Sequence, residues 1–145
     1  DVWADEPTID SSLALSIDIA TPHIAGYSVE AKSNATKVLA GAFEEHFRLG
    51  TTLDIQAREE NSAITVVEHT AGRLSQWSAL LAAFPLIELS EQFKQALRKG
   101  EGAEAFDSIR QKLLQRREFI SKTLRRNTYS SDQQQQLSVL GFRFE

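Results

Sequence analysis

The sequence predicts an α+β chain in three parts: the tail of an α/β layer, one long helix, and a C-terminal α+β domain with element order β-α-α-α-β-α-β. Three observations carry that prediction. Short strand-like runs broken by Pro crowd residues 1–22, helical spacing of apolar residues is sustained over 28–49, and a β-branched run at 63–67 opens a region of alternating helical periods and short apolar strands. Charge follows a similar division, with 11 acids and 4 bases in residues 1–60 against 6 acids and 10 bases in residues 98–145.

Composition bounds what such a chain does. At 145 residues, 41% hydrophobic, 25% charged and with a net charge of −4, it is of ordinary globular type. No run reaches the roughly 18 to 20 apolar residues of a membrane helix, and no basic-then-apolar leader opens the sequence. Zero Cys excludes a disulfide framework, thiolate zinc sites and cysteine nucleophiles, and fits a reducing compartment, so a cytoplasmic setting is expected. There is also no Met, and the chain opens on Asp1-Val2-Trp3, from which a piece of a longer protein is expected.

Element by element, Val2 and Trp3 read as the last residues of a strand that Glu6-Pro7 ends, because Pro has no N–H to donate and restricts the residue before it. Ser11 to Ile17 reads as a short helix or turn, and Ile17-Asp18-Ile19-Ala20 as a second strand-like run closed by Thr21-Pro22. Ser28 is the expected N-cap of the long helix, Glu30 complements its dipole, and Gly50 is the expected C′ residue. Between them Ala35, Val38, Leu39, Ala42, Phe43 and Phe47 recur at helical spacing. Residues 51–61, weakly periodic and ending in Glu59-Glu60-Asn61, read as a linker.

Ala63-Ile64-Thr65-Val66-Val67 is β-branched and predicts a strand. Leu74, Trp77, Leu81 and Phe84 mark a helix ended by Pro85, Leu86, Leu89, Phe93 and Leu97 a second ended by Gly100, and Ala103, Phe106, Ile109 and Leu113 a third, with Arg110, Lys112, Arg116 and Arg117 on its wetter side. Phe119 to Leu124 alternates as a strand, Ser131 is expected to cap a last helix through Leu140 that Gly141 stops, and Phe142-Arg143-Phe144 to close as a strand. The parts are then 1–27, the helix 28–50, the linker 51–61 and a domain 62–145. At about 84 residues, that domain holds a marginal core that association would help. The basic residues from Arg98 to Arg126 are interleaved with Glu101, Glu104, Asp107 and Glu118 and lack an aromatic platform, so a solvated surface is expected rather than nucleic-acid binding. Gln133–Gln136 reads as a solvated helix face.

The chemistry is concentrated in residues 1–28. A lone His beside a Pro is commonly structural, and an acid before a Pro is commonly a turn residue, but here they occur together. Histidine is the side chain suited to exchange a proton near neutral pH, and a carboxylate beside it fixes its tautomer. Glu6 lies 17 residues before His23, too far for a helical pair, yet both are expected at strand ends, where α/β sheets present ligand loops. Gly26 admits close approach of backbone to a ligand, and the helix start at Ser28 offers N–H groups to an anion. His46 and His69 have no second ligand at metal spacing, so no metal site is expected, and Trp77 reads as a core or interface residue.

The Asp1-Val2-Trp3-Ala4-Asp5-Glu6-Pro7 stretch followed by Thr21-Pro22-His23-Ile24-Ala25-Gly26 resembles the C-terminal end of the nucleotide-binding domain in the NAD-dependent D-2-hydroxyacid dehydrogenase family. The resemblance implies a Rossmann-type origin for residues 1–27. It implies His23 as the acid/base that accepts the substrate 2-hydroxyl proton, Glu6 as its carboxylate partner, Asp1 and Gly26 as contacts to NAD, and Tyr27 as a contact to a phosphorylated 2-hydroxy acid. The short gap between Glu6 and His23, the Tyr27-Ser28 continuation and the looser matches at Gln115-Arg116-Arg117-Glu118-Phe119 and Leu140-Gly141-Phe142 resemble a member that ends in a dimerisation domain, implying a homodimer through 62–145. Phosphoglycerate- and glycerate-type members remain alternatives, as does a non-catalytic association module in which residues 1–50 are an inactive remnant. No Gly-x-Gly-x-x-Gly fingerprint occurs, and the first Arg, Arg48, falls in the long helix, so this chain is expected to hold part of an active site and not to turn over alone.

Overall fold

Residues 1–50, 65–66 and 76–145 are described by a computed structural model of the chain. The elements are α1 (Ser11–Ser16), α2 (Val29–Phe47), β1 (Thr65–Val66), α3 (Gln76–Ala83), α4 (Leu86–Lys99), α5 (Gly102–Lys112), β2 (Lys122–Leu124), α6 (Ser131–Val139) and β3 (Arg143–Phe144). From β1 onward the predicted order β-α-α-α-β-α-β is the order found. The expected linker 51–61, His69 and Leu74 lie outside the described residues, as does all of the 63–67 run except Thr65 and Val66.

The helix ends follow local chemistry. Asp10 caps α1, its Oδ1 accepting from Ser12 N at 2.8 Å and Leu13 N at 3.2 Å. Ser28 caps α2 through Ala31 N at 3.1 Å, as expected. The left-handed residue at the far end is Arg48, at φ 50°, rather than Gly50 alone, and Leu49 N reaches back to Glu44 O at 3.3 Å. Pro85 and Gly100 bound α4 as predicted, with Gly100 at φ 80° and Glu101 N bonded to Ala96 O at 3.0 Å in a Schellman-type closure. The cap of α6 is Ser130, not Ser131. Ser130 stands three residues before Gln133, so Gln133 N donates to Ser130 Oγ at 3.3 Å while Ser130 N donates to Gln133 Oε1 at 3.0 Å, a reciprocal box; Gln134, at the same spacing from Ser131, is turned to Arg126 O and Tyr129 O, to which its Nε2 donates at 3.0 and 2.8 Å.

The three strands form one parallel sheet in the order β1-β2-β3, with Val66 opposite Thr123 and Thr123 opposite Arg143. Parallel neighbours need crossovers, supplied here by α3–α5 and by α6. The strand expected from Phe119 starts only at Lys122, because Phe119–Ser121 wind as a 3₁₀ turn closed by Ser121 N to Glu118 O at 3.1 Å.

The strand-like runs at 2–3 and 17–20 are not strands among the described residues. A strand exists by sharing a ladder with a neighbour, and here side chains take the backbone groups instead. Ser90 Oγ accepts Ala20 N at 3.0 Å, Lys94 Nζ donates to Ile17 O at 2.5 Å and Asp18 O at 2.8 Å, and Trp3 Nε1 donates to Thr21 O at 2.8 Å.

Apolar residues gather in two clusters. In the first, Phe93 and Leu97 of α4 and Phe106 and Ile109 of α5 pack with Ile9, Ala14 and Ala20, so residues 9–20 share one core with α4 and α5. Its Phe93 and Phe106 rings meet edge-on at 6.0 Å. The second joins Ala79 of α3, Leu137 of α6, Leu124, Tyr129 and Phe142. By contrast α2 buries no residue.

Candidate active site

The site is built around a backbone turn. His23 sits at φ 51°, the left-handed region that a side chain bearing a Cβ seldom occupies, so its surroundings must hold it there. Asp1 supplies much of that restraint: its carbonyl accepts His23 N at 2.7 Å, Oδ1 accepts Ile24 N and Thr21 Oγ1, each at 2.8 Å, and Oδ2 accepts Ala25 N at 3.1 Å. On the other side, Arg110 Nη1 of α5 donates to His23 O at 2.6 Å. One aspartate and one arginine thus fix the two peptides that flank the imidazole.

Glu6 reaches the same place from the other loop. Its Oε1 accepts Trp3 N at 2.8 Å, and its Oε2 lies 2.7 Å from His23 Nδ1. The His23 and Glu6 side chains are 42% and 22% exposed, so the ring is accessible to a ligand. The hydrogen bond from His23, then that from Trp3 N, hold the Glu6 carboxyl below its usual range, with the nearby Arg110 charge adding to the effect. A charged carboxylate on Nδ1 favours the tautomer that carries its proton there, which leaves Nε2 as the acceptor. The structure thus brings together Glu6 and His23, separated by 17 residues in sequence.

Tyr27 is half-buried under two cations, with Lys32 Nζ 3.7 Å and Arg110 Cζ 4.6 Å from its ring centroid. Arg116 Nε donates to its carbonyl at 3.1 Å. Gly26, at φ 68°, makes the turn into Tyr27, and among the described residues beyond its chain neighbours no atom lies within 4 Å of where a Cβ would stand, so the turn geometry explains the glycine. Asp1 Oδ2 accepts Ala25 N, and a carboxylate oxygen has acceptor capacity for a second donor such as a ligand amide, which is compatible with a cofactor contact.

The anion seat expected at the start of α2 is instead used by the chain. Val29 N donates to Arg116 O at 3.0 Å, Ser28 Oγ takes Ala31 N, and the Glu30 carboxylate pairs with Arg117 Nε at 2.7 Å and accepts Glu118 N at 3.1 Å. A first-turn acid answers the helix dipole more cheaply than a captured ion. Sequence reasoning placed Arg110, Arg116 and Arg117 on a wet helix face and missed their part in this region. The signal for Arg110 was its position four residues after Phe106, which puts it at the edge of the buried stripe of α5. His46 packs edge-on against Phe47 at 4.8 Å, and among the described residues no group of three or more His, Cys, Asp or Glu is arranged to hold a metal.

No family model matches the chain. It is similar, however, to curated proteins named erythronate-4-phosphate dehydrogenase: one from Pseudoalteromonas atlantica is 32% identical over 145 residues, covering 98% of this chain and 37% of the relative. One from Idiomarina loihiensis is 35% identical over 149 residues with the same coverage, and one from Coxiella burnetii is 34% identical over 122 residues, covering 82% of this chain and 32% of the relative. The chain spans about a third of the length of the curated relatives it matches.

Proposed function

From similarity to erythronate-4-phosphate dehydrogenases along almost its whole length, we propose that this chain is the C-terminal portion of such an enzyme, holding the proton-transfer half of an NAD-dependent oxidation of 4-phospho-D-erythronate to its 2-oxo acid in pyridoxine biosynthesis. The observation that carries the reading is the 2.7 Å contact between His23 Nδ1 and Glu6 Oε2.

In this reading Nε2 of His23 takes the proton of the substrate 2-hydroxyl as the C2–H bond breaks, and the Glu6 carboxylate stabilises the imidazolium that forms. Bound NAD supplies the hydride acceptor, with Asp1 and Gly26 as its contacts from this chain. Tyr27, under the cations of Lys32 and Arg110, faces a phosphorylated substrate, whose negative charge suits that neighbourhood. A positioned acid/base contributes about 10² to 10⁴ in rate. In the full-length protein, His23→Ala is therefore expected to lower kcat by about that factor, followed as NADH absorbance. The isolated 145-residue chain, given NAD and 4-phospho-D-erythronate, is expected to yield no NADH; measurable turnover would refute the half-site reading.

A second reading for the tail is association as a homodimer through 62–145. Trp77 and Leu81 of α3 and Val139 of α6 remain exposed, an arrangement that suits a protein interface. Because Phe93 and Phe106 pack on residues 9–20, the test belongs on the whole chain: light scattering at micromolar concentration should return a dimer, and a monomer would remove the dimerisation role. We place the enzyme in the cytoplasm; no helix of the described residues is long and apolar enough to cross a membrane.

A further inference from the structure

We propose that Arg110 is a positioning residue for the His23–Glu6 pair, so that α5 serves catalysis as well as packing. The proposal rests on the dehydrogenase reading above.

His23 occupies a left-handed backbone conformation, and the direction of its imidazole depends on how the two adjoining peptides are held. Asp1 holds the N-terminal one through His23 N. The following peptide is held at both ends: Asp1 Oδ1 accepts its Ile24 N at 2.8 Å, and its carbonyl receives Arg110 Nη1 at 2.6 Å across 87 residues of sequence. The donor is itself immobilised. Its guanidinium lies on the Tyr27 ring, and 5.7 Å away stands Phe106, which is buried edge-on against Phe93. The planar fork thus links the hydrophobic core to one side of the catalytic turn and covers the candidate substrate-contacting tyrosine with the same group. Its charge also acts on Glu6, favouring the carboxylate that His23 needs as partner.

The test uses the full-length enzyme carrying Arg110→Lys. Lysine keeps a cation and an aliphatic stem against Tyr27 but loses the fork that reaches His23 O. The expected result is kcat lower by about 10- to 100-fold, as for a catalytic group displaced by an ångström or less, with KM for both substrates within about threefold and an unchanged melting temperature. Methylguanidinium added to Arg110→Ala should restore part of the lost kcat. A kcat within twofold of the parent in both variants, a loss confined to KM, or a loss that follows the melting temperature would each overturn the proposal. His23→Gln, measured in parallel, separates the two readings. If it leaves kcat unchanged the dehydrogenase reading falls, and if it abolishes turnover while the Arg110 variants work normally, only the positioning role falls.

Discussion

Helices α2 and α4 carry the same kind of apolar spacing and meet opposite fates. In α4, Phe93 and Leu97 are buried against Ile9, Ala14 and Ala20. In α2, Val38 and Leu39 are 71% and 72% exposed, and Phe43 and Phe47, whose rings lie 4.5 Å apart, are exposed as well. Periodicity therefore specifies that a helix forms and which stripe it offers, while burial depends on what the rest of the chain brings to that stripe. Besides α5, the residues that meet α4 come from α1 and the stretches beside it, so the segment that leads into the His23 turn also contributes to the core.

That contrast is open to direct attack. The largest effect is expected at Phe93, whose ring is fully buried. Phe93→Ala should cost about 3–5 kcal/mol in denaturant unfolding, enough to unfold a marginal domain, and it should disorder the His23 turn along with the core. Lys94 comes next, because its ammonium satisfies the carbonyls of Ile17 and Asp18. Lys94→Ala leaves both carbonyls without that donor and should cost about 1.5–3 kcal/mol on the same denaturation curve. At the small end, Phe43→Ala on α2 should change the stability of the 145-residue chain by no more than about 0.5 kcal/mol. A loss at Phe43 comparable to that at Phe93 would mean that α2 packs within this chain after all.

Acid sharpens the comparison from the electrostatic side. Glu6 is held below its ordinary value of 4.5 and Asp10 below 3.8, in each case mainly by hydrogen bonds to the charged form. Folded carboxylates with lowered values stabilise the fold above the unfolded value, and the gain is lost as pH falls through the folded one. The melting temperature should therefore decline below about pH 4.5, with Glu6→Gln flattening the decline and Phe43→Ala leaving its slope unchanged.

Much of the tail was legible in the sequence, because its signals are local. Pro85 and Gly100 punctuate α4 through their own backbone preferences, and the element order from β1 to β3 follows from where the apolar period changes. The strand-like runs at 2–3 and 17–20 failed for the opposite reason. Val, Ile and Trp there favour extended backbone, but a ladder needs a neighbouring strand, and Ser90, Lys94 and Trp3 satisfy those groups by side chain. Of the site, Glu6 and His23 were legible as a motif with known chemistry. Arg110 was not, because its partner His23 lies 87 residues away and no local period encodes that meeting.

The central claim is that Glu6 and His23 act as one unit, and a double-mutant cycle on kcat in the full-length enzyme tests it most directly. His23→Gln, Glu6→Gln and the double variant are measured with 4-phospho-D-erythronate and NAD. The account predicts that the double variant is no slower than His23→Gln alone, since Glu6 acts on the proton transfer through the histidine. Losses that multiply, so that Glu6→Gln costs as much without His23 as with it, would contradict the pairing.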